Sequence, residues 1–516
     1  MRAGSACSAA LIVASLSACE SPTDPGLAAC ESPEVSHRRP RPTGPVIIHF
    51  AREVDLPARA AIGRRGRSAL TTALRGDALR AQDRVVALMR QHGIEPTARL
   101  WMINAVAATV PDALLDNIAK LPEVVRIEPD LAISVPVTIM TPDTTAPDAW
   151  NLSAIRAPEL WATGQRGAGT VVAMVDTGVD VAHPDLASAW RSTAGWHDPY
   201  GEHATPYDGN GHGTQVAGLV VGGATSGVPI GVAPGAQWIS TRILDDSGRG
   251  TVSGLHGALQ WILDPDGDAM TDDAADIVVV SWGYSYLINN CYLELEGAIA
   301  TLRAAQVAIV VAAGNAGPFA SSSISPANNP SAFAAGAVDE LLTVLSTSSR
   351  GPDACTQSIF PELVAPGANV RTTDLTFRGQ VPASYTIGNG TSFAAPHIAG
   401  AMALLRGAHP SATVTQLEDA LTTTAVDLSA AGADNDTGYG LPDVVAAEAR
   451  LAQLVAAESC TDADRDGYMR ELGCNTALDC NDHNADIHPG ACDVPFDVMD
   501  QDCDGADRVT GTCCPS

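Results

Sequence analysis

The sequence predicts an α/β protein whose largest part is a doubly wound, mostly parallel β-sheet, preceded by a small α+β module and followed by a small disulfide-rich module. The length of 516 residues exceeds what one ordinary core needs, so several globular units are expected. Between residues 171 and 454, short runs of Val, Ile and Ala alternate with helical segments. Continuous apolar runs are typical of parallel strands buried on both faces. Near residue 459 the composition changes to Asp, Cys and Gly.

The overall charge and hydropathy exclude two classes of protein. The net charge of -29 argues against nucleic acid as a partner, because the chain would repel phosphates. No apolar run reaches the roughly 18–20 residues that a membrane-spanning helix needs. A hydrophobic content of 46% with a mean hydropathy near zero is typical of a globular protein in water.

Residues 1–19 resemble an export signal, because a basic residue, Arg2, precedes an apolar stretch. The run LSAC at residues 16–19 resembles the lipobox of bacterial lipoproteins, in which Cys19 would be lipidated and would tether the chain to a membrane. The alternative is an ordinary cleaved signal. Both forms predict an extracytoplasmic protein, either an outer-membrane lipoprotein or a secreted one, in a compartment that permits disulfides.

Residues 20–45 are rich in Pro, Ser and Arg and are predicted to form a linker. Residues 46–136 then show the pattern of an α+β module, with predicted elements in this order: strand 46–50, helix 78–92, strand 100–108, helix 111–121 and strand 124–128. With one strand unassigned, the order fits the β-α-β-β-α-β plan of a ferredoxin-like module. Residues 137–149 are polar and contain proline, as a linker that is cut during maturation would be.

Three segments of the following α/β region carry residues that could act together. A buried strand from residue 171 ends at Asp176, His212 stands between two glycines where a helix begins, and Ser392 lies at a loop-to-helix junction. A serine hydroxyl is a weak nucleophile until an imidazole removes its proton, and the imidazole needs a buried carboxylate to fix its tautomer. The carboxyl edge of a parallel sheet is where open α/β folds place their sites.

These segments read VVAMVDTG at 171–178, NGHGTQVAG at 210–218 and GTSFAAPHIAG at 390–400. In this order they resemble the segments of the subtilisin-like serine peptidases, and the runs at 179–186 and 365–367 match the same family. The resemblance covers residues 150–455 and implies a serine endopeptidase with Asp176, His212 and Ser392 as its catalytic triad. His183 and His397 are expected to be structural, because neither occupies the family's base position.

The resemblance also implies binding residues. In the family, the Asn of an Ala-Ala-Gly-Asn run donates to the oxyanion, and that role falls on Asn315, with the backbone N–H of Ser392 as its partner. The implied substrate-binding residues are Ser281, Trp282, Gly283, Ala313, Gly314 and, as the far wall of the first specificity pocket in the proteinase K-like branch, Ser325, Pro326 and Ala327. Trp282 departs from the family, where a smaller aliphatic residue is commoner. An uncharged pocket predicts an apolar or aromatic side chain before the cut bond.

The module at 46–136 resembles the family's inhibitory propeptide, which assists folding and then blocks the active site. Its Arg-rich face would complement an acidic peptidase domain. The resemblance therefore implies a zymogen whose own propeptide is an intramolecular inhibitor, whose maturation cut falls within about 137–149, and whose substrates are proteins or peptides. The alternative function is a catalytically silent, surface-tethered binding protein, but such relics usually lose a triad residue or the oxyanion Asn.

The last segment, residues 459–516, repeats short Asp motifs that are typical of calcium loops. The candidate ligands are Asp462, Asp464, Asp466, Asp479, Asp482, Asp500, Asp502 and Asp504. The twelfth position of the first loop is Gly473 instead of Glu, so it is not a standard EF-hand. The segment resembles a cysteine-containing metal-binding module of exported bacterial proteins. Structural Ca²⁺ is expected and no organic cofactor is implied; zinc is disfavoured because carboxylates outnumber His.

Cysteines are concentrated in the same segment, at positions 460, 474, 480, 492, 503, 513 and 514. Such density predicts disulfides that hold a core too small to be stable alone, and argues against the alternative of a solvated acidic tail. The odd number leaves one cysteine unpaired or paired outside the module. Within the peptidase region, Cys291 and Cys355 could pair.

Overall fold

The structure is a computed structural model, and it describes residues 44–56, 66–133, 140–142, 149–381, 384–429 and 431–459, with residues 468, 480–481, 483–489, 491, 501 and 503. The predicted export segment with Cys19, the linker up to residue 43 and most of the segment 137–149 lie outside the described residues. Across the described ranges, no helix has the length and apolar character needed to cross a membrane.

The N-terminal module consists of six elements: β1 (Pro45–Phe50), α1 (Arg67–Gln91), β2 (Ala98–Leu100), β3 (Ala105–Thr109), α2 (Asp112–Ile118) and β4 (Val124–Pro129). The four strands form an antiparallel sheet in the order β2-β3-β1-β4. The single strand expected over 100–108 was wrong, because residues 101–104 form a turn between β2 and β3. Asn104, at φ 50°, takes the left-handed conformation that Asn tolerates, and its apolar neighbours hide the turn from a hydropathy pattern.

The sheet of this module is buried on both faces, and the side chains of β1 alternate between them. Val46 and Ile48 pack with Val85 and Met89 of α1 in the module's own core. Ile47 faces the other way and belongs to the same apolar cluster as residues of the following domain. The module therefore contacts that domain through an apolar face that resembles a protein interior.

Two short strands, β5 (Ala132–Ile133) and β6 (Met140–Pro142), follow β4, and the following domain begins with α3 (Trp150–Ala154) and α4 (Ala157–Ala162). Its central elements are β7 (Val171–Asp176), a 3₁₀ turn (Ala187–Ala189), β8 (Trp196–His197), α5 (His212–Val221), β9 (Gln237–Arg242), β10 (Gly250–Thr251), α6 (Val252–Leu263), β11 (Ile277–Val280), α7 (Glu296–Ala304), β12 (Ala308–Ala312) and β13 (Phe333–Val338). It ends with β14 (Leu363–Pro366), β15 (Val370–Thr373), β16 (Tyr385–Gly388), α8 (Thr391–Ala408), α9 (Val414–Thr423) and α10 (Val444–Ser459).

The prediction of a doubly wound parallel sheet is confirmed. Seven strands pair in parallel in the order β14-β13-β12-β11-β7-β9-β8. One apolar cluster packs α5, α8, α9 and α10 against one face, and a second packs α6 and α7 against the other. Since β7 lies inside the sheet, Asp176 at its carboxyl end emerges close to the middle of one edge.

Helix α8 runs through the core, and residues 391–406 of it are all buried. A helix so enclosed requires small residues at its contacts. At Gly400, for example, a Cβ atom would lie 2.6 Å from the Cβ of Val232. The Ala- and Gly-rich composition thus lets the helix approach the sheet closely and fixes the position of its N-terminus, where Ser392 lies.

Two disulfides lie among the described residues. Cys291 pairs with Cys355 across 64 residues of the α/β domain, as the sequence suggested. Cys480 pairs with Cys503 in the C-terminal module, where the rings of Tyr468 and His488 also stack. The first bond closes a long loop and should contribute the larger stabilisation of the two.

We predict that replacing both Cys291 and Cys355 by Ser lowers the free energy of unfolding by about 4 kcal/mol, because the unfolded chain regains the entropy of a 64-residue loop. For a domain of this size the melting midpoint should fall by roughly 8 °C. Calorimetry on chains that also carry Ser392→Ala measures this without self-digestion. The control is the Cys480→Ser/Cys503→Ser pair, which should leave that transition unchanged; equal shifts would contradict the prediction.

Candidate active site

Asp176 is the last residue of β7, and it is almost fully buried. One carboxylate oxygen, Oδ1, accepts a hydrogen bond from the backbone N–H of Thr177 at 2.8 Å and lies 2.7 Å from Nδ1 of His212. A buried carboxylate needs such partners, because burial without them is costly. The contact places the proton of His212 on Nδ1 and leaves Nε2 with a free lone pair.

His212 is the first residue of α5. The glycines on both sides of it let the backbone adopt a conformation and a close approach that larger residues could not. Gly211 has φ +103°, in the left-handed region that favours glycine. At Gly213, a Cβ atom would lie 2.0 Å from the carbonyl oxygen of Gly178. The two glycines flanking the histidine therefore allow α5 to begin directly against the loop that follows Asp176.

Asp208 holds the backbone at the start of α5 through hydrogen bonds. Its buried carboxylate accepts hydrogen bonds from the N–H groups of Asn210, Gly211 and Thr214 and from the Thr214 hydroxyl, at 2.7–2.9 Å. No motif of the sequence singled out Asp208, although an Asp shortly before a helix often accepts hydrogen bonds from the first N–H groups of that helix. Asp208 thus orients His212 through the backbone that carries it.

The protonation of His212 is set by opposing effects. Burial favours the neutral imidazole, but the charge and hydrogen bond of Asp176, with a further contribution from Asp208, outweigh it and hold the pKa of His212 above its ordinary value of 6.5. A group in this position accepts a proton readily, as a general base must.

Ser392 is the second residue of α8, and Gly390 before it has φ +130°. Its hydroxyl donates to the carbonyl oxygen of Ser281 at 2.8 Å, and the hydroxyl of Ser281 donates back to the carbonyl oxygen of Ser392 at 3.0 Å. These two bonds join the start of α8 to the end of β11. Because the hydroxyl proton points to Ser281, its transfer to His212 requires the O–H group to turn away from that carbonyl oxygen.

Asn315 follows β12 in an exposed turn. Its side-chain Oδ1 accepts from the backbone N–H of Thr391 at 3.0 Å and from the Thr391 hydroxyl at 3.1 Å. Within the described part of the chain, the amide Nδ2 has no acceptor. With Oδ1 held in this way, Nδ2 offers two unused N–H donors beside Ser392, the arrangement that an oxyanion requires.

A pocket of about 140 Å³ opens beside Ser392 and Asn315. Its lining residues are Ser281, Trp282, Gly283, Ser285, Ile288, Ala312, Gly314, Asn315, Ala316, Ile324, Thr391 and Ser392. None of them is charged, and the isoleucines form apolar walls. Ile288 and Ile324 carried no signal in the sequence, because their contact with the pocket depends on how distant loops meet.

Four residues that the sequence assigned to substrate binding lie elsewhere. Ala313, Ser325 and Ala327 are buried, and neither they nor Pro326 line the described pocket. The hydroxyl of Ser325 donates to Oδ1 of Asn328 at 2.7 Å, inside the loop that positions Ile324. This segment supports the pocket wall from behind, and Ile324 supplies the surface.

Trp282 lines the pocket, although most of its side chain is buried. Its side chain is 6% exposed, its indole N–H donates to the carbonyl oxygen of Val175 at 3.0 Å, and its ring meets that of Tyr284 edge to face. The indole thus ties β11 to β7 one residue before Asp176. A smaller aliphatic side chain could not make that hydrogen bond.

His183 and His397 are fully hydrogen-bonded away from the triad. Nε2 of His183 lies 2.9 Å from the carbonyl oxygen of Ser384, and its Nδ1 accepts from the N–H of Asp185. Burial lowers the pKa of His397 to about 4, and its ring nitrogens meet Asn151 and the carbonyl oxygen of Phe393. The hydrogen bonds of both histidines therefore join parts of the fold.

The candidate metal ligands of the C-terminal module, Asp462, Asp464, Asp466, Asp479, Asp482, Asp500, Asp502 and Asp504, all lie outside the described residues. Of the neighbouring residues, Cys480 and Cys503 are described, and a disulfide joins them.

Comparison with protein families gives two matches. Residues 167–440 match the model of the subtilase family, Peptidase_S8. Residues 479–507 match the model of a metal-binding motif, Cu-binding MopE, so a metal-binding motif is present at the C-terminus.

Among curated relatives, Bacillopeptidase F of Bacillus subtilis is 34% identical over 374 residues, which are 66% of this chain and 25% of the relative. The chain thus spans only a quarter of that protein. Subtilisin amylosacchariticus of Bacillus subtilis subsp. amylosacchariticus is 31% identical over 67% of this chain and 81% of its own length. Subtilisin BL of Lederbergia lenta is 35% identical over 58% of this chain and 97% of its own length.

We predict that the rate at which a fluorophosphonate labels Ser392 falls as the pH is lowered, with a midpoint above pH 6.5. The reason is that only neutral His212 can accept the serine proton, and its pKa is raised above 6.5. Asp208→Asn removes one raising charge and should move the midpoint to lower pH.

The control for this pH shift is Asp245→Asn, which changes a partly exposed carboxylate outside the groups that act on His212. It should leave the midpoint unchanged. A midpoint below 6.5, or an upward shift in Asp208→Asn, would show that the charges around His212 act differently.

Proposed function

The chain belongs to the subtilase family and is a serine-type endopeptidase, and from this premise we propose that it is an exported enzyme, made as an autoprocessed zymogen, that cleaves proteins through an acyl-enzyme on Ser392. The observation that carries the proposal is the buried pair of Asp176 and His212 at the carboxyl edge of the parallel sheet, and it is supported by Ser392 and Asn315, which line one pocket.

The reaction begins when the Ser392 hydroxyl turns from the Ser281 carbonyl towards Nε2 of His212. As Oγ bonds to the substrate carbonyl carbon, its proton passes to Nε2, and Asp176 stabilises the imidazolium. The N–H groups of Asn315 and Ser392 take the negative charge of the tetrahedral oxygen. The carbon–nitrogen bond then breaks, and the amine leaves with the proton from His212. A water molecule then attacks the acyl-enzyme with the same proton transfers through His212, and the product carboxylic acid leaves Ser392.

Residues 46–136 serve as the inhibitory propeptide in this proposal. Beyond β4, Ala132 and Ile133 pair antiparallel with Thr251 and Gly250 of the following domain. The Ile133 side chain is 8% exposed and lies in the same apolar cluster as Trp282. An extended segment on this strand edge occupies backbone that a substrate would need, as strand addition does in peptide recognition.

A buried charge cluster supports the same role for the module. Glu294 of the peptidase domain is enclosed, with His49 at 2.9 Å, His256 at 3.3 Å and Arg126 at 3.0 Å. Burial opposes its ionisation, but hydrogen bonds and charges from the imidazoles hold the pKa of Glu294 well below its ordinary range. Since His49 and Arg126 belong to the module, each part supplies charge that the other leaves unbalanced.

Export, lipidation at Cys19 and calcium in the tail rest on sequence motifs. The apolar N-terminal stretch and the disulfides favour an extracytoplasmic setting. Hard carboxylate oxygens in the tail suit Ca²⁺, whereas the matching family model is named for copper. Assignment to the proteinase K-like branch stays a prediction.

We predict that the wild-type precursor cuts itself within residues 137–149 and that Ser392→Ala does not, because the nucleophile is lost. Asn315→Ala should cut 10²–10³-fold more slowly, a figure measured for the corresponding donor of subtilisin. Gel electrophoresis with N-terminal sequencing of the product gives both results.

Ser285→Ala is the matched control, since Ser285 lines the pocket without a catalytic role, and it should be processed at the wild-type rate. An intact wild-type chain that also fails to react with a fluorophosphonate would overturn the assignment as an active endopeptidase.

We further predict that the mature enzyme prefers Leu, Met or Phe before the cut bond over Asp or Lys by at least roughly 10-fold in kcat/KM. The walls formed by Ile288 and Ile324 bury apolar groups favourably and offer no charge partner to an ion. A fluorogenic peptide series that varies this one position measures it, and equal rates for Lys and Leu would contradict it.

A further inference from the structure

The apolar pocket beside Ser392 has two isoleucine walls that are held in different ways. Ile324 is 3% exposed and belongs to a buried segment, so close packing fixes its position. Ile288 lines the same pocket but is 53% exposed, and it lies in a segment that is neither helix nor strand. Burial therefore fixes the first wall, whereas the second wall needs another support.

We call residues 285–291 the wall loop, because it carries Ile288. The loop ends at Cys291, and every residue in it except Leu287 is exposed. Asn289 has φ 51°, in the left-handed region. Hydrogen bonds of an exposed backbone compete with water, and a segment with few buried apolar contacts opens locally at little cost. The wall loop therefore depends on the ties that join it to the rest of the fold.

Two hydrogen bonds connect the wall loop to the buried segment that carries Ile324. The side-chain amide of Asn328, which is 3% exposed, donates to the carbonyl oxygen of Asn290 at 3.0 Å. The backbone N–H of Asn289 donates to the carbonyl oxygen of Ser323 at 2.9 Å. These bonds place the end of the wall loop against the buried segment, next to the position where the disulfide begins.

The disulfide joins the wall loop to a third segment. Cys291 ends the loop and is bonded to Cys355. The third segment is itself anchored, because the N–H of Cys355 donates to the buried carboxylate of Asp353 at 2.7 Å. The N–H of Ala354 also donates to the hydroxyl of buried Ser323 at 3.1 Å. A covalent bond thus connects the exposed loop to a part of the fold that is firmly held.

The catalytic groups lie on other elements. Asp176 ends β7, His212 begins α5 and Ser392 lies near the start of α8, and none of these elements includes the wall loop or its disulfide. A change confined to the wall loop can therefore alter the pocket while the triad keeps its geometry. Cys291 is exposed and its partner is partly exposed, so a thiol reductant in solution can reach the bond.

We propose that Cys291 and Cys355 are specificity-determining residues of the endopeptidase, because their disulfide holds Ile288 at the wall of the apolar pocket. Reduction of the bond releases the wall loop, so the preference for a large apolar side chain before the cut bond falls while the triad stays intact. In that reduction a small dithiol gives two electrons and two protons to the disulfide, which becomes two thiols, and closes to its own disulfide. The inference rests on the proposed function, since it concerns the selectivity of the same site.

The test compares the hydrolysis of two peptides, with Leu or Ala before the cut bond, by self-matured enzymes well below their melting midpoints. A leucine side chain reaches the pocket walls, whereas the methyl group of alanine leaves most of the 140 Å³ empty. Cys291→Ser/Cys355→Ser should lower kcat/KM for the Leu peptide by roughly 10-fold, the effect of losing the burial of about two methylene groups. The value for the Ala peptide should not change, whereas a general loss of structure would lower both.

Ile288→Ala in the disulfide-bonded chain should reproduce this loss, because the wall side chain is missing. Adding Ile288→Ala to Cys291→Ser/Cys355→Ser should cause no further loss, since the disulfide acts through Ile288. The matched control is the Cys480→Ser/Cys503→Ser pair, which removes a disulfide of the C-terminal module and should keep the wild-type ratio of the Leu rate to the Ala rate. A wild-type ratio in Cys291→Ser/Cys355→Ser, or losses that simply add, would overturn the inference.

If near-UV circular dichroism shows that Cys291→Ser/Cys355→Ser does not fold, dithiothreitol reduces the bond in the folded enzyme instead. The Leu-to-Ala ratio of the wild type should then fall to that of Ile288→Ala, which reduction should leave unaffected, and reoxidation should restore it. An unchanged ratio, or a bond that dithiothreitol cannot reduce, would overturn the inference. A wild type that cleaves neither peptide refutes the proposed function itself, and the inference falls with it.

Discussion

The buried pair of Asp176 and His212 is the contact on which the rest of the site depends. A carboxylate with almost no exposure is tolerated only with hydrogen-bond partners in place, and those partners come from a loop and a helix start. β7 must therefore lie inside the sheet, and α5 must begin within reach of its end. The glycines around His212 and the carboxylate of Asp208 meet that demand, since any side chain at Gly213 would collide with Gly178.

The nucleophile obeys a related constraint from the opposite element. Ser392 lies at the end of a helix that penetrates the core, and the small residues along α8 permit this. The reciprocal hydrogen bonds with Ser281 then join the helix start to β11, and Asn315 joins it to β12 through Thr391. β7, β11 and β12 thus each lead into a residue of the candidate site at the carboxyl edge of the sheet, namely Asp176, Ser281 and Asn315.

Much of this arrangement could be predicted from sequence, because local patterns encode it. Buried parallel strands appear as short apolar runs. His212 stands between two glycines, and Ser392 follows Gly390 by two residues, so each can be recognised from its immediate neighbours in the sequence. The walls of the pocket leave none: Ile288 and Ile324 are ordinary apolar residues whose position depends on distant loops. The turn at Asn104 was missed for a similar reason, as its apolar neighbours continue the strand pattern and only the tertiary contacts interrupt it.

The N-terminal module contacts the following domain through apolar packing and through ion pairs, and these two kinds of interaction differ in specificity. Its apolar sheet face is non-directional and would fit many surfaces of similar shape. The charges at its margins are specific, since Arg126 and His49 meet Glu294 while Arg75 meets Asp264. Both acids are enclosed while the module is in place. If the module leaves during maturation, as we propose, each acid loses a basic partner of the module and must instead meet water or another cation.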